Sequence, residues 1–243
     1  MKVTVLMENT ALEGCGLTPE HGLSLYIEYR GRKLLLDAGS SGKFADNAQA
    51  LGVDLTAVEL AALSHGHYDH ADGLRRFFQI NSRAKVYMRP GAAGGYFAMD
   101  PGCPRYIGIH RDILEQSRDR FVSVEGPYAL MEGAWLIPDT VRDPAFAGRA
   151  DNLAYRRGED DFIPDDYRHE QSLVLEGERG LAVFNSCSHT GIVNIVRGVL
   201  EQFPGRKVHA VVGGFHMFSK GETGMNCPPE HVYQVAAALE ELG

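Results

Sequence analysis

The sequence predicts an α/β fold, an αββα sandwich of two mixed sheets with outer helices. Three observations point there. Apolar runs of strand length alternate with stretches of helical spacing along most of the chain. One order of elements occurs twice: hairpin, polar glycine-containing loop, helix, apolar strand, histidine-bearing loop. In the first half it runs LSLYIEYRGRKLLLDAGSSG and ends in SHGH; in the second, SLVLEGERGLAVFNSCSHTG ends in GGFH. Finally, 243 residues with 44% apolar and 23% charged content suit a single domain, residues 1–243, with a sizeable core.

Taken in order, residues 2–7 alternate as a strand does. Leu23–Tyr29 and Lys33–Asp37 are β-like runs joined by Arg30-Gly31-Arg32, a hairpin. Phe44–Leu51 has apolar residues at helical spacing, and Leu60–Leu63 is a short strand leading into SHGHYDH. Leu74–Ile80 reads as a helix and Lys85–Met88 as a strand. From about residue 89 to 166 glycine, proline and aromatics are dense, and the stretch reads as a loop-rich insertion. Short strands are expected there only at Val122–Val124 and Ala134–Ile137. Order returns with a second hairpin, Ser172–Glu176 and Leu181–Asn185 across GERG, then a helix at Gly191–Phe203. Val208–Val212 is an apolar strand and Pro228–Leu242 a closing helix.

Composition removes several classes. Against 24 lysines and arginines stand 32 aspartates and glutamates, a formal charge of -8, so nucleic acid is not an expected partner. No apolar run reaches the roughly 20 residues of a membrane span. The first ten residues lack the long apolar region of a secretory signal, and a cytoplasmic location with reduced thiols is expected. Cys15, Cys103, Cys187 and Cys227 form no C-x-x-C pair. Neither a P-loop nor a G-x-S-x-G serine context is present.

The dominant signal is Ser64-His65-Gly66-His67-Tyr68-Asp69-His70. Residues two apart in an extended segment face the same side, so His65 and His67 can grip one ion together. Asp69 and His70 begin the next turn. Imidazole and carboxylate suit zinc first, with manganese or iron as alternatives.

With these residues the chain resembles the metallo-β-lactamase fold superfamily, whose H-x-H-x-D-H hallmark is matched by His65, His67, Asp69 and His70. HGLS at His21–Ser24, LSHGHYDHADGL, EQSLV, SCSHTGIVN and VVGGFHM resemble its dihydropteroate-synthase-like subgroup, related to pterin–ribofuranosylaminobenzene phosphate synthase. The resemblance implies one or two divalent metal ions and further ligands. His169 stands where a third histidine is usual, a position at which the subgroup more often has an acidic residue; a surface role is its alternative. His189 stands where the superfamily has a metal-bridging aspartate. The subgroup's final HCTG motif is absent. Either the chain is a truncated version, or another residue replaces that ligand. His216 is the nearest substitute, with a substrate-facing or a packed role as its alternative. His21, Ser188 and Thr190 flank the metal loops and are expected at the substrate. Asp37, ending the first hairpin, is the candidate partner for a ligand's second nitrogen, or a turn cap. Arg89, Arg105 and Arg111 are candidates for a phosphate contact, and Tyr96, Phe97, Tyr106 and Trp135 for stacking on a flat ring or for packing.

The implied function is a metal-dependent hydrolase, or related transferase, acting on a small anionic substrate that is phosphorylated or pterin-like. A metal-activated water attacks it, and Asp69 orients that water. An iron-containing redox or oxygen-handling protein and a non-catalytic metal- or ligand-binding module are the alternatives. Oligomeric state is left open.

Overall fold

The computed structural model describes residues 1–148, 152–218, 224–225 and 227–243. In chain order the elements begin with strands β1 (Lys2–Met7), β2 (Ser24–Tyr29) and β3 (Arg32–Leu36). Helix α1 (Lys43–Ala50), strand β4 (Leu60–Ala62), helices α2 (Tyr68–Ala71) and α3 (Leu74–Ile80) and strand β5 (Lys85–Met88) follow. Next come β6 (Tyr96–Asp100), β7 (Cys103–Tyr106), α4 (Arg111–Gln116), β8 (Phe121–Ser123), β9 (Tyr128–Met131), β10 (Ala134–Pro138), β11 (Leu153–Arg156) and β12 (Phe162–Pro164). The chain closes with β13 (Gln171–Gly177), β14 (Gly180–Phe184), α5 (Ile192–Gln202), β15 (Val208–Val212) and α6 (Pro229–Leu242). It divides into two compact units: Met1–Val124 with Leu153–Asp165, and Glu125–Asn152 with Asp166–Gly243.

The first unit holds a six-stranded sheet of order β1-β2-β3-β4-β5-β8. Its β2–β3 hairpin turns on Arg30 and Gly31, at φ 46° and 75°. Two consecutive positive φ angles match the right-handed twist of the flanking strands. From β3 onward the pairing is parallel, Leu36 beside Ala62 and Ala62 beside Tyr87. Such strands are buried on both faces, which is why β3 and β4 read as plain apolar runs. Phe44 and Ala48 of α1 and Leu74 and Phe77 of α3 join Leu35, Ala61 and Val86 in one core.

The segment 89–166 holds more regular structure than its glycine and proline content suggested. In it β6, β7, β11 and β12 form a four-stranded antiparallel sheet, order β12-β11-β6-β7, in the first unit. Composition hid these strands because each is only three to five residues long and is bounded by turn formers. The sheet's aromatics pack rather than face solvent. Tyr96 and Phe97 are buried, and Phe97 meets Tyr106 and Phe162 edge-on. The short helices α2 and α4 also went unforeseen.

The second unit holds a five-stranded sheet of order β15-β14-β13-β10-β9. Ile192, Val193, Ile195, Val196 and Val199 of α5 are buried with Val174 and Val183 of the sheet and Val235 and Ala238 of α6. Trp135 lies on Phe203 in this core, rings 4.8 Å apart.

The repeated order seen in the sequence is repeated topology. In the first unit β1, β2 and β3 are antiparallel neighbours, and β4 returns parallel to β3 after α1. In the second, β10, β13 and β14 do the same, and β15 returns parallel to β14 after α5. The match extends to single bonds. Asp37 N–H donates to Ala62 O at 3.0 Å, and Asn185 N–H donates to Val212 O at 3.0 Å. Among the described residues no helix is long and apolar enough to cross a membrane, and no disulfide joins the four cysteines.

Candidate metal centre

Parallel strands end together, so the loops after β3 and β4 emerge side by side. Asp37 follows β3 and Ser64 follows β4. Asp37 adopts φ 57°, unusual for a residue with a side chain. Its carboxylate is fully used in that position. Oδ1 accepts from Ser64 N–H at 2.7 Å, while Oδ2 accepts from the Ser64 hydroxyl at 2.6 Å and stands 2.8 Å from His70 Nδ1. Ser64 Oγ in turn lies 2.8 Å from His65 Nδ1. Because the serine proton goes to Asp37, His65 Nδ1–H is the donor toward Ser64, and His70 Nδ1–H donates to Asp37 directly. Both rings are thereby held with Nδ1 protonated and a lone pair on Nε2, the form that binds metal.

His65, His67 and His70 are at most 3% exposed and Asp69 8%. The rings of His65 and His67 lie 4.6 Å apart, centre to centre, and those of His65 and His70 4.3 Å. His67 is extended and precedes the first turn of α2, which carries Asp69 and His70. Gly66 allows this spacing, since a Cβ there would stand 2.2 Å from Ala92 O. Tyr68 N–H donates to Ile107 O at 2.8 Å and a bridge pairs His67 with Gly108, tying the loop to the chain after β7.

Asp69 Oδ2 lies 3.1 Å from His70 Nε2 and 3.4 Å from His21 Nε2. Burial pushes its carboxyl up. With His70 protonated on both nitrogens, its charge and hydrogen bond, with His67 and His21 adding, outweigh that and hold it well below the usual carboxylate range; an ion bound at His70 Nε2 would supply that positive charge in the proton's place. His21 is exposed, and Gly22 beside it has φ 117° with no room for a Cβ against Asp69 O. Asp165, in the same unit, is buried with its Oδ2 3.7 Å from His67 Nε2. The sequence reading passed over Asp165 because it sits in the acidic run PDDYRHE. The subgroup resemblance placed an acidic residue at the position of His169 itself and gave no signal for Asp165. Three buried imidazoles and neighbouring carboxylates are a donor set suited to a divalent ion, and these residues fit one.

The second unit gathers the remaining candidates after β10, β14 and β15 and before β13. His169 and Glu170 are buried, and Glu170 Oε1 and Oε2 accept from the N–H groups of His189 and Thr190 at 2.8 and 2.9 Å. His189 stacks on Tyr167, rings 4.8 Å apart and 5° from parallel, and its ring lies 4.6 Å from that of His216. Ser188 is fully buried. Its N–H donates to Asn185 Oδ1 at 2.6 Å and its hydroxyl to Gly214 O at 2.8 Å, so this hydroxyl serves the loop. Asp139 accepts from Ser172 Oγ at 2.9 Å and from Asn185 Nδ2 at 2.8 Å. Burial, then the like charge of Glu170, push Asp139 well above the carboxylate range. Burial also raises Glu170, against the opposing bonds from Thr190 and His189. Asp139 was not singled out in the sequence, where it is a lone carboxylate beside a strand, and Glu170 entered only as the first residue of EQSLV, with no role of its own. Of the three arginines considered for phosphate, Arg89 donates to Val124 O and Arg105 to Asp100, while Arg111 opens α4.

These features define a known class. The profile of the Metallo-beta-lactamase superfamily matches residues 17–201, and the chain belongs to that superfamily. It is 25% identical over 254 residues, all of this chain and 84% of the relative, to the 7,8-dihydropterin-6-methyl-4-(beta-D-ribofuranosyl)-aminobenzene-5'-phosphate synthase of Methanocaldococcus jannaschii. A crystal structure of Tm1679, described as a metal-dependent hydrolase of the beta-lactamase superfamily, is similar with a TM-score of 0.78 at 26% identity. That likeness covers 99% of this chain and 84% of Tm1679. An uncharacterized protein of M. jannaschii is 25% identical over 236 residues, covering 92% of this chain and 82% of that protein. The mixed α/β fold expected from the sequence is the metallo-β-lactamase fold.

Proposed function

We propose that the chain is a metal-dependent hydrolase, or a mechanistically related transferase, acting on a small anionic substrate. The observation that carries the reading is the Asp37–Ser64–His65 and Asp37–His70 pair of contacts, which holds two buried imidazoles in the metal-binding form. The ligands we assign are His65, His67, Asp69 and His70, with Asp165 added from the geometry. His169 and His189 are the ligand candidates of the second unit. A bound divalent ion supplies Lewis-acid polarisation of an ester or phosphate oxygen and acidifies adjacent water.

The chain's own residues do the rest. Asp69, held ionised, accepts a hydrogen bond from the attacking water and orients it. His21, exposed and 3.4 Å from Asp69, is assigned to the substrate side of that carboxylate. His216 and Thr190 are candidates for substrate contact in the second unit. The substrates to test first are phosphorylated or pterin-like, because one relative is named for making a phosphorylated pterin compound. Zinc is the first metal to test, then manganese and iron.

The deciding experiment pairs elemental analysis of the purified protein with turnover of a phosphoester and lactone panel. We expect bound metal in the wild type, and no turnover by a His67→Ala variant that keeps its circular dichroism spectrum. Undiminished turnover by that variant overturns the reading.

A further inference from the structure

Glu170 has no part in the mechanism above, yet it is among the most completely enclosed carboxylates of the second unit, at 1% exposure. Its two oxygens accept from two successive backbone N–H groups, His189 at 2.8 Å and Thr190 at 2.9 Å. Only a carboxylate offers two equivalent acceptors side by side. A glutamine of the same shape turns one acceptor into a donor facing an N–H.

The turn that carries Glu170 touches His189 a second time. Glu170 N–H donates to Tyr167 O at 3.0 Å, closing residues 167–170 into one turn, and Tyr167 takes φ 53° within it. Tyr167 lays its ring flat against the His189 imidazole, 4.8 Å away and 5° from parallel. One four-residue turn therefore grips His189 by its main chain and by its ring, and His169 sits between the two gripping residues.

We propose that Glu170 is a positioning residue that, through this turn, fixes the His189 imidazole relative to His169, so that the two histidines are held as one preformed pair. Ser188 N–H is anchored separately on Asn185 and Gly191 N–H on Ser188 O. The bonds that Glu170 alone supplies are those at His189 and Thr190. The inference rests on the proposed ligand role of His169 and His189 for its functional meaning, but the positioning itself is tested without it.

The test compares wild type, Glu170→Gln and Tyr167→Leu by amide hydrogen exchange and by titration with cobalt(II) as a spectroscopic probe. We expect Glu170→Gln to speed exchange at His189 and Thr190 by tenfold or more, while amides of β13 and β14 keep wild-type protection. Cobalt affinity should fall about 10- to 100-fold, as it does when a group supporting a ligand is lost. Tyr167→Leu should change the cobalt absorption spectrum while leaving those two amides protected. Wild-type exchange at both amides in Glu170→Gln overturns the positioning role. If exchange speeds as expected but wild type binds no cobalt, the loop anchor stands and the metal reading fails. If Glu170→Gln does not fold, an unchanged cobalt spectrum and affinity in Tyr167→Leu overturn the proposal.

Discussion

Asp37 meets three donors with two oxygens, and the consequence falls on residues other than itself. Ser64 is the link to His65. Removing its hydroxyl in Ser64→Ala leaves His65 Nδ1 without the group that receives its proton, while His70 keeps its own contact. Metal affinity is expected to fall about 10- to 100-fold with little change in fold, measured by competition with a chromophoric chelator. Asp139 supports a prediction about pH. Its carboxyl is raised above the ordinary value of 3.8 by burial and then by Glu170. As pH rises the unfolded chain ionises first, so the native state binds more protons and stability falls from 3.8 upward through the raised value. Asp139→Asn has no proton to lose. Its urea midpoint should therefore gain on wild type as pH climbs from about 4 to 8; parallel curves would refute the raised acid. Legibility differed sharply between these residues. The histidines of SHGHYDH announce themselves by spacing, and Asp37 by its place at a hairpin end. Glu170, Asp139 and Asp165 are acids whose importance comes from partners between 19 and 98 positions away along the chain; no local pattern records such partners.

At the scale of elements, the runs with one strong period were read to within a residue or two. Leu74–Ile80, Lys85–Met88 and Val208–Val212 stand as expected because each carries apolar residues at the spacing of its element. The sheet of β6, β7, β11 and β12 escaped because its strands are short and its order interleaves distant segments. Helix α5 supports the clearest energetic prediction. Ile195 is 1% exposed, in contact with the core of the second unit. Ile195→Ala should cost about 2–5 kcal/mol, read from urea unfolding, because little around a packed helix can collapse into the space. At Gly66 the obstacle is rigid backbone: a Cβ would stand 2.2 Å from Ala92 O. Gly66→Ala must therefore move the loop between His65 and His67, and metal content should drop with it.

For the whole molecule, the sequence reading of residues 1–243 as one domain remains a proposal, and it predicts a single cooperative transition by fluorescence and circular dichroism. Metal removal should lower the melting temperature and re-addition should restore it, because an ion that binds only the folded chain stabilises it by mass action. A melting temperature indifferent to chelator would count against the proposed centre. The two-fold recurrence of hairpin, helix and returning strand was visible in the sequence as order without identity, and the structure carries it down to matched hydrogen bonds. That match puts Asp37 and Asn185 in the same seat of their respective units. The two side chains differ by one group, an oxygen in one and an amino group in the other, and they are nearly the same size. The Asp37 oxygen accepts from the His70 imidazole and the Ser64 hydroxyl, whereas the Asn185 amide donates to Asp139 and accepts from the Ser188 N–H. A single group, an oxygen in one copy of the seat and an amide nitrogen in the other, thus separates a loop that braces the imidazoles of the proposed metal site from one that braces the backbone leading to His189.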